Sequence, residues 1–197
     1  MQCSRCDKDA AIIQPYSGLA LCAVHAARDI EAKVKRRIRK CGGISFGEKL
    51  YVSGSRGPEQ FALYVVLSRI LLGRCDVSFV NNPDEATAVV SISTLDTSSC
   101  AFLQQIISGT VVEVFAPSGK KILDPLAIVP RNEIVFYARF HGWDGVDECS
   151  FVLDQFSKDV WTFLKHFMRG HPSVAYSLMQ VRDGLYHIYQ EKFNHAL

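Results

Sequence analysis

The chain has 197 residues, a formal net charge of +2 and 48% hydrophobic residues, which is enough apolar material for a core and excludes a globally disordered chain. No apolar run reaches the roughly 18 residues of a membrane-spanning helix, and Met1-Gln2-Cys3-Ser4-Arg5 is not followed by the apolar stretch of a secretory leader. The length suits one ordinary domain with a small appendage.

In chain order, the first feature is Cys3-Ser4-Arg5-Cys6, followed by Cys22-Ala23-Val24-His25. Each pair sits on a tight turn that lets both side chains face one ion. Three thiolates and one imidazole complete a closed tetrahedral shell, the structural kind of zinc site. Tyr16-Ser17-Gly18, between the pairs, turns the chain back. The alternative is that the cysteines are free thiols and His25 caps a helix. Seven cysteines with this pairing fit a reducing cytoplasm and a metal better than a disulfide framework.

From Ala26 to Lys40, Ile30, Val34 and Ile38 recur every four residues with charges between them, predicting an amphipathic helix stopped by Gly42-Gly43. Lys33, Lys35, Arg36, Arg37, Arg39 and Lys40 put six cations in eight residues; outside them, 16 basic residues face 20 acidic ones. The basic character is therefore one local patch, the form that a nucleic-acid contact takes, although a solvated helix face also explains it. The pattern predicts that most of these cations remain accessible, as a nucleic-acid-binding face.

Lys49–Val52 reads as a strand and Ser53–Pro58 as a loop, Pro58 suiting the first turn of a helix that runs to about Leu72. Val77–Val80 and Ala88–Ile92 are two further strand candidates, Ser98–Ile107 a helix, and Val111–Phe115 a fourth strand. Helices are expected over Asn132–His141, Asp154–Met168 and Ser173–Phe193. Strands alternating with helices predict an α/β fold with a three-layer parallel sheet. The predicted organisation is an N-terminal zinc finger over 1–28, a basic linking helix over 29–45, and an α/β domain with a helical C-terminus over 46–197.

The order of these features resembles the tRNA 2-thiouridine synthetase family of PP-loop ATPases, which includes the cytosolic thiouridylases. The resemblance implies an adenine nucleotide alpha hydrolase-like (Rossmann-like) domain, here in truncated form. Active members carry Ser-Gly-Gly-x-Asp-Ser after the first strand, where backbone N–H groups cradle ATP phosphates. The matching stretch is Ser55-Arg56-Gly57-Pro58-Glu59-Gln60, in which only Ser55 and Gly57 agree. Arg56 adds a side chain where backbone should touch phosphate, and Pro58 removes a donor. Glu59 moves the carboxylate out by one methylene, and Gln60 replaces a hydroxyl. In the later Leu-Asp stretch only Leu95 and Asp96 match. Asp124-Pro125-Leu126 to Ile134, Asp147–Ser150 and His171–Leu178 resemble further family segments in order.

The resemblance also sets what is missing. Active thiolases place an internal Cys-x-x-Cys between the loop and the Leu-Asp stretch, where this chain has Cys75 alone. Of the three cysteines that hold an iron–sulfur cluster or carry sulfur in the family, Cys149 alone remains. These departures predict structural zinc as the cofactor, with neither ATP nor an iron–sulfur cluster in use. They imply a non-catalytic or weakly active homologue, a pseudoenzyme that binds tRNA or joins an active paralogue in a hetero-oligomer, or forms a homodimer. An active thiolase with a substituted loop, and a zinc-dependent nucleic-acid-binding or regulatory module, are the alternatives.

Overall fold

The computed structural model describes residues 1–73, 76–111, 119–147 and 154–194. It divides into two compact units, one formed by Met1–Thr94 with Lys120–Ser150 and the other by Leu95–Gly119 with Phe151–Leu197.

The first unit opens with an antiparallel hairpin, β1 (Ile12–Gln14) and β2 (Leu19–Leu21). β2 runs directly into α1 (Ala23–Lys40), which begins three residues before the helix predicted from Ala26. Ile30, Val34 and Ile38 form its buried stripe, as their spacing requires. The helix ends where Gly43, at φ 73°, donates its N–H to the Ile38 carbonyl at 2.9 Å. That closure needs a left-handed residue, which glycine adopts without strain.

β3 (Lys49–Ser53), α2 (Pro58–Ile70), β4 (Ser78–Phe79) and β5 (Ala88–Ser91) follow, each within two or three residues of its predicted bounds. The fourth described strand of the sheet is β6 (Lys121–Leu123), which the sequence did not single out. The strand expected over Val111–Phe115 lies, from residue 112 on, outside the described residues. The strands are all parallel in the order β4-β3-β5-β6. Leu50 and Val52 of β3, Ala88 and Val90 of β5, and Leu123 of β6 point to one face. There they meet α1, α2 and α4 (Arg131–Phe140) in a single core with Leu63, Leu67, Ile134 and Tyr137. Each fully buried leucine of that core contributes about 1.5–3 kcal/mol.

The second unit holds α3 (Leu95–Ser108), α5 (Gln155–Gly170) and α6 (Val174–Asn194). α3 starts three residues earlier than the helix predicted from Ser98. Asp154 caps α5 by accepting from the Ser157 N–H at 2.7 Å. Cys100, Val160 and Leu164 form this unit's core, with Leu103, Trp161, Met168 and Leu178 packed on it. Among the described residues, no helix is long and apolar enough to cross a membrane.

Candidate metal centre and substituted loop

The two knuckles converge. The ligand atoms of Cys3, Cys6, Cys22 and His25 all lie within 4.8 Å of one another. Cys6 Sγ is 3.8 Å from Cys22 Sγ, and His25 Nδ1 is 3.4 Å from both Cys3 Sγ and Cys22 Sγ. A tetrahedral metal with metal–sulfur bonds of about 2.3 Å has sulfur–sulfur edges of about 3.8 Å, so the donor set fits a metal ion. The local chain explains the convergence. The Ser4 N–H donates to the Ala20 carbonyl at 2.7 Å and the Ala20 N–H to Ser4 Oγ at 3.0 Å. These bonds lay the first knuckle on β2, while Cys22 and His25 occupy the N-terminus of α1.

The electrostatics suit a cation. Burial works against the Cys3 thiolate, but backbone N–H groups of Cys22 and Arg5 and the His25 side chain outweigh it and pull the thiol down to about 6. Cys6 moves upward: a backbone hydrogen bond at Lys8 lowers it, but burial and the neighbouring sulfurs of Cys22 and Cys3 prevail. Adjacent sulfurs compete for charge unless a metal neutralises them.

A polar network that sequence reading missed ties this module to α4. Glu133, 2% exposed, accepts from Tyr16 Oη on one oxygen. Its other oxygen accepts from Gln14 Nε2 at 3.2 Å and Lys33 Nζ at 3.0 Å. Lys33 also donates to Tyr16 Oη and pairs with Asp29 at 2.9 Å, which in turn holds Gln14 and Arg5. Phe136 of α4 packs on the buried Cys3, Leu21, Cys22 and Ala26.

This network changes the reading of the basic run. Lys33 is committed to Glu133 and Asp29. Arg37, 4% exposed, forms a two-pronged pair with Asp124, from Nε at 2.8 Å and from its terminal nitrogen at 2.7 Å. Neither side chain is presented to an external phosphate. Lys35, Arg36, Arg39 and Lys40 are exposed, and Arg28 joins them. At 100° per residue, Arg28, Lys35 and Arg39 line one stripe with Arg36 beside it.

The predicted loop stands between β3 and α2. Gly54 adopts φ +129°, and an added Cβ would come within 2.3 Å of Ile92 Cδ1, so glycine is required there. Ser55 and Arg56 are exposed, Gly57 is the residue before the helix, and Pro58 opens it without an N–H. Glu59 is buried and bound by Arg131 Nε of α4 at 2.6 Å. Gln60 Nε2 donates back to the Gly54 carbonyl at 3.4 Å. Asp96 lies on α3 in the second unit. Cys75 and Cys149 fall outside the described residues, and so do Glu148 and Ser150.

Residues 2–25 match the family model described as the N-terminal LIM domain of the 2-thiouridine synthetase TtuA. None of the curated proteins matches the chain by sequence. Among solved structures, the chain is similar to the U34-tRNA thiolase NcsA from Methanococcus maripaludis with its [4Fe-4S] cluster. The TM-score is 0.81 at 14% identity, covering 95% of this chain and 87% of that one. The parallel-sheet α/β fold expected from the sequence is thus the fold of that thiolase. The cofactor expectation is corrected: a thiolase of this fold holds an iron–sulfur cluster, and the four ligands here can hold a metal. Exclusion of iron–sulfur chemistry on the count of cysteines does not stand.

Proposed function

We propose that this TtuA-like member of the tRNA thiolase family works in tRNA uridine thiolation as a non-catalytic or weakly active component. It binds tRNA or an active thiolase subunit in the cytoplasm. The observation that carries this reading is the state of the loop. Glu59, at the position of the family's loop carboxylate, is buried and neutralised by Arg131, and Pro58 leaves the helix start short of a donor. A preorganised phosphate cradle loses most when several of its donors are lost together. The exposed Arg28, Lys35, Arg36 and Arg39 offer the tRNA backbone a row of cations about 16 Å long.

A second reading, an active ATP-dependent thiolase with a substituted loop, is favoured by the intact strand–glycine–helix geometry at Gly54. One experiment separates the two. Purified metal-loaded chain is incubated with unmodified tRNA, Mg-ATP and a sulfide source, alone and with an active thiolase. Thiolated uridine is then quantified by mass spectrometry of nucleosides. The expected result is little or no product from the chain alone, with tRNA binding or association with the active subunit retained. Product from the chain alone at a rate comparable to that of the active thiolase establishes the second reading instead.

A further inference from the structure

We propose that the first turn of α4 couples the metal centre to the Ser53–Gly57 loop, making Arg131 and Glu133 positioning residues for that loop. The inference concerns metal and loop order and does not depend on the thiolation reading. Two residues of one helical turn face in different directions. Glu133 spends both carboxylate oxygens on the N-terminal module and α1, through Tyr16, Gln14 and Lys33. Arg131 spends its guanidinium on the loop side, donating to Glu59 Oε1 at 2.6 Å and to the Asp147 carbonyl at 3.3 Å. Glu59 is the second residue of α2, and the ideal Cβ position of Gly57 is 3.3 Å from Glu59 Oε2. The carboxylate therefore lies against the loop's exit into the helix.

The hairpin end of this relay depends on metal. Among the described residues, β1 and β2 are three residues each and form a sheet of two strands, too little to stand alone in water. β2 leads straight into the ligand Cys22, and the Ala11 N–H bonds the Leu21 carbonyl at 2.8 Å. Metal loss frees the knuckles and loosens the strand carrying Gln14 and the turn carrying Tyr16. Glu133 is then deprived of two of its three donors while remaining buried. A buried carboxylate short of donors draws its helical turn into a new arrangement, and Arg131 sits on that turn. Linkage makes the effect reciprocal: whatever weakens the Arg131 end must weaken metal binding.

The test uses the full chain. Hydrogen exchange of peptides covering Gly54–Gly57 is measured with metal loaded and after chelation, with β5 (Ala88–Ser91) as the fold control. Metal affinity is measured separately by competition with a chromophoric chelator. In the wild type, chelation is expected to raise loop exchange about fivefold or more while β5 keeps its protection. Arg131→Gln is expected to exchange rapidly in the loop even when loaded, and to bind metal about fivefold or more weakly, although Arg131 touches no ligand. Arg131→Lys restores most of both properties, and Arg139→Gln, at the far end of the helix, changes neither. Should Arg131→Gln fail to fold, Glu59→Gln breaks the same pair from the other side and is read the same way. Wild-type metal affinity in the loop-side variant overturns the proposal, even if chelation unfolds the wild type, because that affinity is measured on loaded protein. Loop exchange indifferent to chelation, or an equal loss of affinity in Arg139→Gln, overturns it too.

Discussion

Replacing Arg37 by Gln tests the division of the basic helix into an inner and an outer set. The guanidinium makes two charge-assisted bonds to Asp124, and Cys41 Sγ donates to the same carboxylate at 3.1 Å. Removing one partner of a buried pair costs about 3–5 kcal/mol, because the other charge is left without compensation. The Asp124 side chain keeps 16% of its exposure, which places the expected loss at the low end, about 3 kcal/mol. For a chain of this size each kcal/mol lowers Tm by about 2–4 °C, so the expected drop is roughly 6–12 °C. Arg36→Gln, one residue away and exposed, should stay within about 0.5 kcal/mol of the wild type. Thermal melts followed by circular dichroism read both variants. Adding Asp124→Asn to Arg37→Gln should recover part of the loss, because it removes the stranded charge. A drop below about 2 °C in Arg37→Gln, or equal drops in the two single variants, would refute the inner–outer division.

Elemental analysis reading both zinc and iron should find about one metal ion per chain at the four-ligand site; Cys22→Ala should lose it and destabilise the hairpin. Reversing Arg36 and Arg39 to Glu should weaken tRNA binding and lower its salt slope by about one for every phosphate no longer neutralised, with an unchanged circular dichroism spectrum; unchanged affinity across a salt series would assign the stripe to another partner. Asp29 gives a pH signature. Burial pushes its carboxyl up, but the Gln14 and Lys33 hydrogen bonds and the charges of Lys33 and Arg5 hold it below the ordinary 3.8. Its stabilisation is therefore complete above about pH 4 and disappears as pH falls through the lowered folded value. Tm should fall more steeply below pH 4 in the wild type than in Asp29→Asn.

The fold was legible where local chemistry and burial agree. Pro58 marks the start of α2, Gly42-Gly43 the end of α1, and the alternation of Leu50 and Val52 marks β3 as half-buried. β6 was not legible because it is three residues long, with Ile122 57% exposed beside Lys121, so no apolar alternation announces it. The metal ligands were legible because four donors at knuckle spacing carry their own geometry. The partners of Lys33 and Arg37 were not, because Glu133 and Asp124 stand 100 and 87 residues away along the chain. Part of that signal was nonetheless present. On a helical wheel Arg37 lies about 60° from the centre of the Ile30, Val34 and Ile38 stripe and Arg39 about 140° from it, while Lys33 and Lys35 sit on its two sides at about 100° each. A run of cations counted along the sequence hides that difference. Glu59 was read as a loop carboxylate moved outward; its buried pairing with Arg131, 72 residues on, is a tertiary fact.

Two of the four metal ligands, Cys22 and His25, belong to the opening turn of an 18-residue helix. Starting a helix is its unfavourable step, since three residues must be fixed before the first hydrogen bond repays them. An ion held by the Cys3–Cys6 knuckle fixes that turn from outside, and so acts as a template on which α1 elongates. α1 in turn supplies Ile30, Val34 and Ile38 to the core that the sheet and α2 complete. The expectation is that metal binding at the knuckles precedes elongation of α1 during folding. Stopped-flow refolding followed by far-ultraviolet circular dichroism should show early helix signal with metal present from the start, and a delayed rise when metal is added late.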